Sequence, residues 1–224
     1  MKIGINCGHT LSGAGYGAVG LLNEVTEDRL VGNELMGLLK NAGHTVINCT
    51  VDSAATQQAY LTKSVQIANA QVLDLFVSIH FNAGGGTGTE VFTYKAAKDT
   101  EAVRVCNKLN ALGFKNRGIK DGSGLYVINS TRAKAMLIEV CFVDNKTDYY
   151  LYKKLGYKRI AQAIYEGITG ATDKGVKTMI NNYDDAIKVL ENNGVISTRA
   201  YWDNAIKVVK HLDTLIINMA NKLA

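Results

Sequence analysis

The chain of 224 residues contains no proline. Its turns must therefore be shaped by Gly, Asn, Asp and Ser, so the 22 glycines mark the irregular backbone. They crowd into residues 8–20 and 83–88. Nothing approaches 18 consecutive apolar residues, which excludes a single membrane-spanning helix. The opening MKIGINCGHT has strand character and lacks the apolar stretch and cleavage site of a signal peptide, so synthesis in the cytoplasm is expected. The four cysteines, Cys7, Cys49, Cys106 and Cys141, form no C-x-x-C pair and mostly lie in apolar runs, as reduced, buried thiols do. Basic and acidic residues nearly balance, 25 against 20, and no basic block of the nucleic-acid-binding type occurs. What is present is 47% apolar and 20% charged, enough to bury one sizeable α/β domain with a small appendage.

Residues 2–7, 44–51, 74–82, 89–95 and 136–142 are β-branched, aromatic or otherwise apolar runs of strand length. Helical patterns fill about 25–41, 54–71, 99–112 and 147–168 between or after them. In the first, Leu30, Leu35, Leu38 and Leu39 are expected to share a buried face, with Asn41-Ala42-Gly43 as the stop. The alternation predicts a twisted, mainly parallel sheet flanked by helices on both faces, with chemistry gathered at the carboxyl ends of its strands. The pattern changes near 170–175. From there the spacing predicts an all-helical module over 175–224: a helix to about 192, a break at Asn193-Gly194, and a longer helix from about 200 to 223. That last helix would carry Ile206, Val209, Leu212, Leu215, Ile216 and Met219 on or near one face.

GYGAVG at 15–20 matches G-x-G-x-x-G, but the match begins eight residues after the first strand, and no acidic residue follows at the distance a dinucleotide site requires. These glycines are instead expected to form a mobile loop, with no nucleotide bound.

A second constellation has better topology. His9 follows the first strand, Glu24 opens the first helix, and His80 lies near the end of the strand DLFVSIHFN. All three should reach the carboxyl-terminal edge of the sheet. Two imidazoles and a carboxylate with an open fourth position suit a catalytic zinc ion. Glu139, in MLIEVCFVDN, is a carboxylate inside an apolar strand, costly to bury unless paired or placed at a site opening. Beside a metal it could exchange a proton with water and a leaving nitrogen; a structural salt bridge is the alternative. His44, after the glycine turn, and His211, on a helical face, are expected to be structural.

The segments GINCGH, NEVTEDRL, IANAQVLDLFVSIHFNAG and NRGIKDGSGLYVINSTRAKAMLIEVCFVDN, in uninterrupted order over residues 2–169, resemble the zinc-dependent N-acetylmuramoyl-L-alanine amidases of the Amidase_3 type. The resemblance implies a mainly parallel sheet of about six strands. It also implies His9, Glu24 and His80 as zinc ligands, one ion for the domain at 1–170, and Glu139 as catalytic acid/base. The implied reaction is hydrolysis of the amide joining N-acetylmuramic acid to L-alanine in bacterial peptidoglycan. Glu27 competes with Glu24 as ligand; Glu24 is preferred because it precedes the helix. Two departures stand near Glu139: Ala133 and Ala135 flank Lys134 where the family commonly has Pro, and Cys141 replaces a Gly. Altered local backbone with retained chemistry is expected there. Glu90 sits at a position that is acidic in the family, as either a substrate contact or a supporting carboxylate.

The tail is similar, less specifically, to short helical modules ending some clostridial phage lysins. Wall targeting through Tyr183, Tyr201 and Trp202, or homodimerisation, is expected of it unless those aromatics fill its core. An endolysin or autolysin acting at the wall after membrane permeabilisation is the leading expectation. A zinc peptidase cutting within the stem peptide and a non-catalytic wall-binding module are the competing ones.

Overall fold

The computed structural model describes residues 1–171, 183–192, 194–207 and 211–223. The chain divides into two compact units, Met1–Thr172 and Asp173–Ala224.

The first unit is a six-stranded sheet covered on both faces. Its strands are β1 (Lys2–Cys7), β2 (Thr45–Asn48), β3 (Leu75–Asn82), β4 (Thr89–Thr93), β5 (Asn116–Asp121) and β6 (Ala135–Phe142), in spatial order β2-β1-β3-β6-β4-β5. Neighbours run parallel except β4 against β6. The helices are α1 (Glu24–Asn41), α2 (Gln57–Asn69), α3 (Thr100–Ala111), α4 (Tyr126–Asn129), α5 (Lys146–Leu155) and α6 (Tyr157–Thr169), with a short 3-10 turn at Tyr94–Ala96.

Strand side chains alternate between faces. Val77, Ile79 and Phe81 of β3 enter a large core with Val31, Leu35, Leu39, Val105 and Ile164 from α1, α3 and α6. Phe76 joins a smaller core with Val65 and Ala68 of α2, Val127 and Ile128 of α4, and Leu137 of β6. Ser78 and His80, two and four residues beyond Phe76, therefore emerge on this second face.

Several local expectations change. Strand β5 had no periodic signal: NRGIKD carries one large apolar residue, Ile119, and Gly118 has φ +80°. The helix expected over 147–168 is two, because Gly156 (φ 76°, ψ 155°) leaves helical geometry between α5 and α6. Leu30 is exposed, since the buried face of α1 includes Glu24, Glu27, Asp28 and Val31 as well as Leu35 and Leu39. A helix start rich in acids on its inner face defeats a purely apolar reading of periodicity.

In the second unit α7 (Tyr183–Asn192), α8 (Arg199–Ala205) and α9 (Leu212–Leu223) are described. The stretch 175–182 and Val209 lie outside the described residues. The single helix expected from 200 is divided, with a turn at Ile206 and Lys207. Ile216 and Ala220 are buried with Ala186, Ile187, Leu190 and Ile196, whereas Leu215 and Met219 are exposed. A core this small takes only a narrow stripe of each helix. Tyr183 and Trp202 pack against it, and Tyr201 is 67% exposed. Among the described residues no helix is long and apolar enough to cross a membrane.

Candidate metal centre

His9 sits just beyond β1 in left-handed backbone, φ 61°, uncommon for a non-glycine residue. Two side chains pin that conformation. The His9 N–H donates to the Tyr60 hydroxyl at 3.0 Å, and the Arg29 guanidinium donates to the carbonyls of Gly8 and His9 at 3.0 Å each. Arg29 is itself paired with Asp52 at 2.7 Å. Tyr60 lies outside the segments that carry the family resemblance, and Arg29 lies inside one, NEVTEDRL, but the sequence singles out neither as a site residue; what they answer is backbone geometry.

Glu24 is the first residue of α1, whose N-cap Asn23 accepts from the Thr26 N–H. Its Oε2 accepts from Ala18 N at 2.8 Å and its Oε1 from Phe81 N at 3.2 Å. Oε1 also lies 3.0 Å from His9 Nε2 and 3.2 Å from His80 Nδ1. One donor atom from each of the three side chains falls within 4.8 Å of the others, a group that can hold a metal ion. Burial alone would raise the Glu24 pKa, but hydrogen bonds and charge from His80 and His9 hold it well below the usual carboxylate range. Burial lowers the pKa of His80, against a raising bond from Glu24.

His9 Nδ1 lies 2.9 Å from the Gly15 carbonyl. A carbonyl only accepts, so Nδ1 carries a proton, and Nε2, 3.0 Å from Glu24 Oε1, is the nitrogen left to face a metal. The glycine loop, expected to be mobile, thus places Gly15 and Gly17 against His9 and Glu24. Gly15 supplies that carbonyl from φ +105°, and a Cβ on Gly17 would stand 2.7 Å from Glu24 Oε2.

The structure brings His9, Glu24 and His80 together and places Glu27 elsewhere. Glu27 Oε2 accepts from the Tyr152 hydroxyl at 2.7 Å, and Lys153 lies 3.4 Å from Oε1. Glu139 is opposite His80 in the parallel β3–β6 register. Its Oε2 is buried without a partner among the described residues. Burial, then the charges of Glu24 and Glu90, push its pKa up to about 8. Glu90 faces Glu139 across the β4–β6 ladder, with its oxygens committed to Asn82 Nδ2 at 2.7 Å and Arg117 Nε at 2.8 Å. These bonds tie it to Asn82 of β3 and Arg117 of β5, and it is not among the residues that line the cleft. Across Ala133–Cys141 no residue has a positive φ, and Ala135 pairs regularly with Phe76. All four cysteines are buried and free. His44 lies 3.3 Å from the N-terminal amine, and His211 is exposed.

His9, Glu24, His80 and Glu139 open onto a cleft of about 770 Å³, within the range of small-molecule sites. Gln57, Gln58, Leu61, Phe92, Leu125 and Tyr126 contribute to its walls.

The sequence profile of the N-acetylmuramoyl-L-alanine amidase family, Amidase_3, matches residues 3–170. A Clostridium perfringens (strain 13) protein is 34% identical over 75% of this chain, and the N-acetylmuramoyl-L-alanine amidase CwlM of Bacillus licheniformis is 33% identical over 75%. The aligned regions span 51% and 65% of those relatives' own lengths. Among solved structures, the catalytic domain of the CD27L endolysin targeting Clostridia Difficile matches with TM-score 0.71 and 35% identity, over 77% of this chain and 98% of that one.

Proposed function

The chain belongs to the N-acetylmuramoyl-L-alanine amidase family, and from that premise we propose that it hydrolyses the amide between N-acetylmuramic acid and L-alanine in bacterial peptidoglycan, with zinc held by His9, Glu24 and His80. The observation that carries the reading is the convergence of these three donors on one cleft, beside Glu139, whose buried Oε2 has no partner among the described residues. Two imidazole nitrogens and one carboxylate oxygen fit zinc in its catalytic form, which keeps a coordination position open. Zinc, when bound, supplies a Lewis acid that polarises the scissile carbonyl and acidifies water.

The chain's own residues do the rest. Glu24 is fixed by two backbone N–H groups, so it holds its place without metal. Gly15 fixes which nitrogen His9 presents. Glu139 takes a proton from the attacking water at a carboxylate oxygen and returns it to the leaving nitrogen, freeing the stem peptide as an amine. A pKa raised by burial suits a group that must both accept and release a proton near neutrality, and a nearby dication would draw it back down. The apolar wall formed by Leu61, Phe92 and Leu125 suits the alanine methyl and the lactyl group.

For the second unit, the exposed Tyr201 supports docking on the wall or self-association. Retention of the full chain on purified walls that is lost in Tyr201→Ala supports docking; a concentration-dependent mass in sedimentation supports self-association.

The test of the proposed activity is clearing of purified peptidoglycan, followed by mass spectrometry of the products. New L-alanine amino termini on intact stem peptides are expected. Cleavage inside the stem peptide would replace the amidase reading with a peptidase, and no release at all would leave a binding module.

A further inference from the structure

Beneath the metal centre runs a line of buried polar groups that neither ligation nor proton transfer uses. Asn6 of β1 and Ser78 of β3 are partners in the parallel β1–β3 register, and both are fully buried. Ser78 and His80 share a face of β3. Their side chains meet, His80 Nε2 lying 3.1 Å from Ser78 Oγ. Ser78 Oγ is in turn 2.8 Å from the Asn6 side-chain amide.

The direction of each bond follows from what the far end can accept. The outer atom of the Asn6 amide is 3.3 Å from the carbonyls of both Cys49 and Cys7, and 3.2 Å from Ser64 Oγ. Carbonyl oxygens only accept, so that atom is the NH2 nitrogen and the amide oxygen faces Ser78. An amide oxygen must receive the single hydroxyl hydrogen of Ser78. Ser78 then offers His80 only a lone pair, so Nε2 of His80 is the donor. Its Nδ1, 3.2 Å from Glu24 Oε1, is then the nitrogen whose lone pair a metal held between them would take, at the point where His9 Nε2 also converges.

We propose that Asn6 and Ser78 form a positioning relay that fixes His80 in its Nε2–H tautomer, so that Nδ1 is presented to zinc. The inference rests on the metal reading given above. Neither residue touches metal or substrate; both act through His80. The centre is thereby built from two unlike supports. His9 offers Nε2 because a loop carbonyl holds its Nδ1–H, whereas His80 offers Nδ1 because a buried side-chain relay holds its Nε2–H. The relay starts on strand backbone at Cys7 and Cys49, so the sheet itself orients the ligand.

The test uses the full chain loaded with zinc. Long-range proton–nitrogen NMR should find the wild-type His80 proton on Nε2 and the His9 proton on Nδ1. Competition with a chromophoric chelator should show zinc bound about 10–100-fold more weakly in Ser78→Ala and in Asn6→Leu, the scale on which ligand supports act. Ser78→Thr, which keeps the hydroxyl, should restore binding. In Ser78→Ala the His80 ring proton should exchange faster with solvent while that of His9 is unchanged. A wild-type His80 protonated on Nδ1 overturns the proposal, as does unaltered zinc affinity in both Ser78→Ala and Asn6→Leu. The wild-type spectrum decides the tautomer even where a variant fails to fold. Failure to release stem peptides would remove the amidase reading and leave these binding and NMR results standing, so the two failures are distinguishable.

Discussion

His80 and Glu139 stand side by side across the β3–β6 ladder, and the register shifts immediately beyond them, between His80 and Asn82. Adjacent strands lie about 4.8 Å apart. One strand pairing thus sets the spacing between an imidazole of the metal group and the carboxylate that would carry the proton.

From this pairing follows a division of labour. Glu139→Gln keeps the shape of the side chain and all three metal-group residues, but cannot accept a proton. Peptidoglycan clearing should fall by about 10²–10⁴-fold, the usual worth of a general acid/base. Zinc content should stay at the wild-type level. A variant that clears walls at the wild-type rate would remove Glu139 from the reaction.

The same substitution should change how stability depends on pH in metal-free protein. Burial, Glu24 and Glu90 raise the Glu139 pKa from 4.5 to about 8. Between those values the unfolded chain has released the proton while the folded protein keeps it, so stability falls as pH rises. The slope is at most about 1.4 kcal/mol per pH unit, and less because the carboxylate opens on a wet cleft. Glu139→Gln should flatten it: the two proteins should melt alike near pH 4 and the variant should be the more stable near pH 8.5. Parallel stability curves from denaturant titration would contradict this.

Asp28 offers a sharper case. It lies one turn beyond Glu24 on the inner face of α1, is fully buried, and neither carboxylate oxygen has a hydrogen-bond partner among the described residues. Burial first, then the charges of Glu24, Cys7 and Glu139, raise its pKa well above 3.8. The folded state therefore holds the proton after the unfolded chain has lost it, and its contribution to stability declines as pH rises above the unfolded value. Asp28→Asn, neutral in both states, should be more stable than the wild type in metal-free protein at pH 7, by at most about 1.4 kcal/mol for each pH unit above the unfolded-state value. That gain should vanish toward pH 4; a gain that persists unchanged at pH 4 would show that Asp28 is not the titrating group.

Much of this arrangement was legible in the residues themselves. Apolar runs marked β1, β3 and β6, and chain order alone put His9, Glu24 and His80 at one edge of a parallel sheet. Local patterning could not supply what depends on φ angles or on neighbours distant in the chain. The left-handed backbone of His9 is held by Tyr60 and Arg29. The Gly15 carbonyl reaches the His9 ring only once the loop folds back toward β1. Strand β5 is an edge strand of half-exposed polar residues, so nothing in its pattern distinguishes it from a loop.

The choice between Glu24 and Glu27 shows how a helix separates two roles three residues apart. Glu24 faces both imidazoles, whereas Glu27 ties α1 to α5 through Tyr152 and Lys153. Glu24→Ala should abolish tight zinc binding. Glu27→Gln should leave zinc content unchanged and lower stability by about 1–3 kcal/mol through the weakened buried bond to Tyr152. Zinc content measured on both variants, with unfolding curves, checks the pair; loss of zinc in Glu27→Gln would reverse the assignment.

A pair of glycines makes the same separation between loop and helix. A Cβ on Gly17 would lie 2.7 Å from Glu24 Oε2 and 2.9 Å from His9 Cδ2, closer than real Cβ atoms approach. Neither neighbour is free to yield. Glu24 is fixed by the N–H groups of Ala18 and Phe81, and the His9 ring by the Gly15 carbonyl. Gly17→Ala should therefore spread the metal group and weaken zinc binding by about tenfold or more, as loss of a ligand's support does. Gly37, in α1, has nothing within 4 Å of its added Cβ. Gly37→Ala should raise stability by about 1 kcal/mol through helix propensity alone, with zinc binding unchanged. Chelator competition and thermal unfolding on the two variants would separate the effects. If Gly17→Ala binds zinc like Gly37→Ala, the loop yields where the hydrogen bonds say it cannot, and the 15–20 segment would be the mobile loop that its glycines alone suggest.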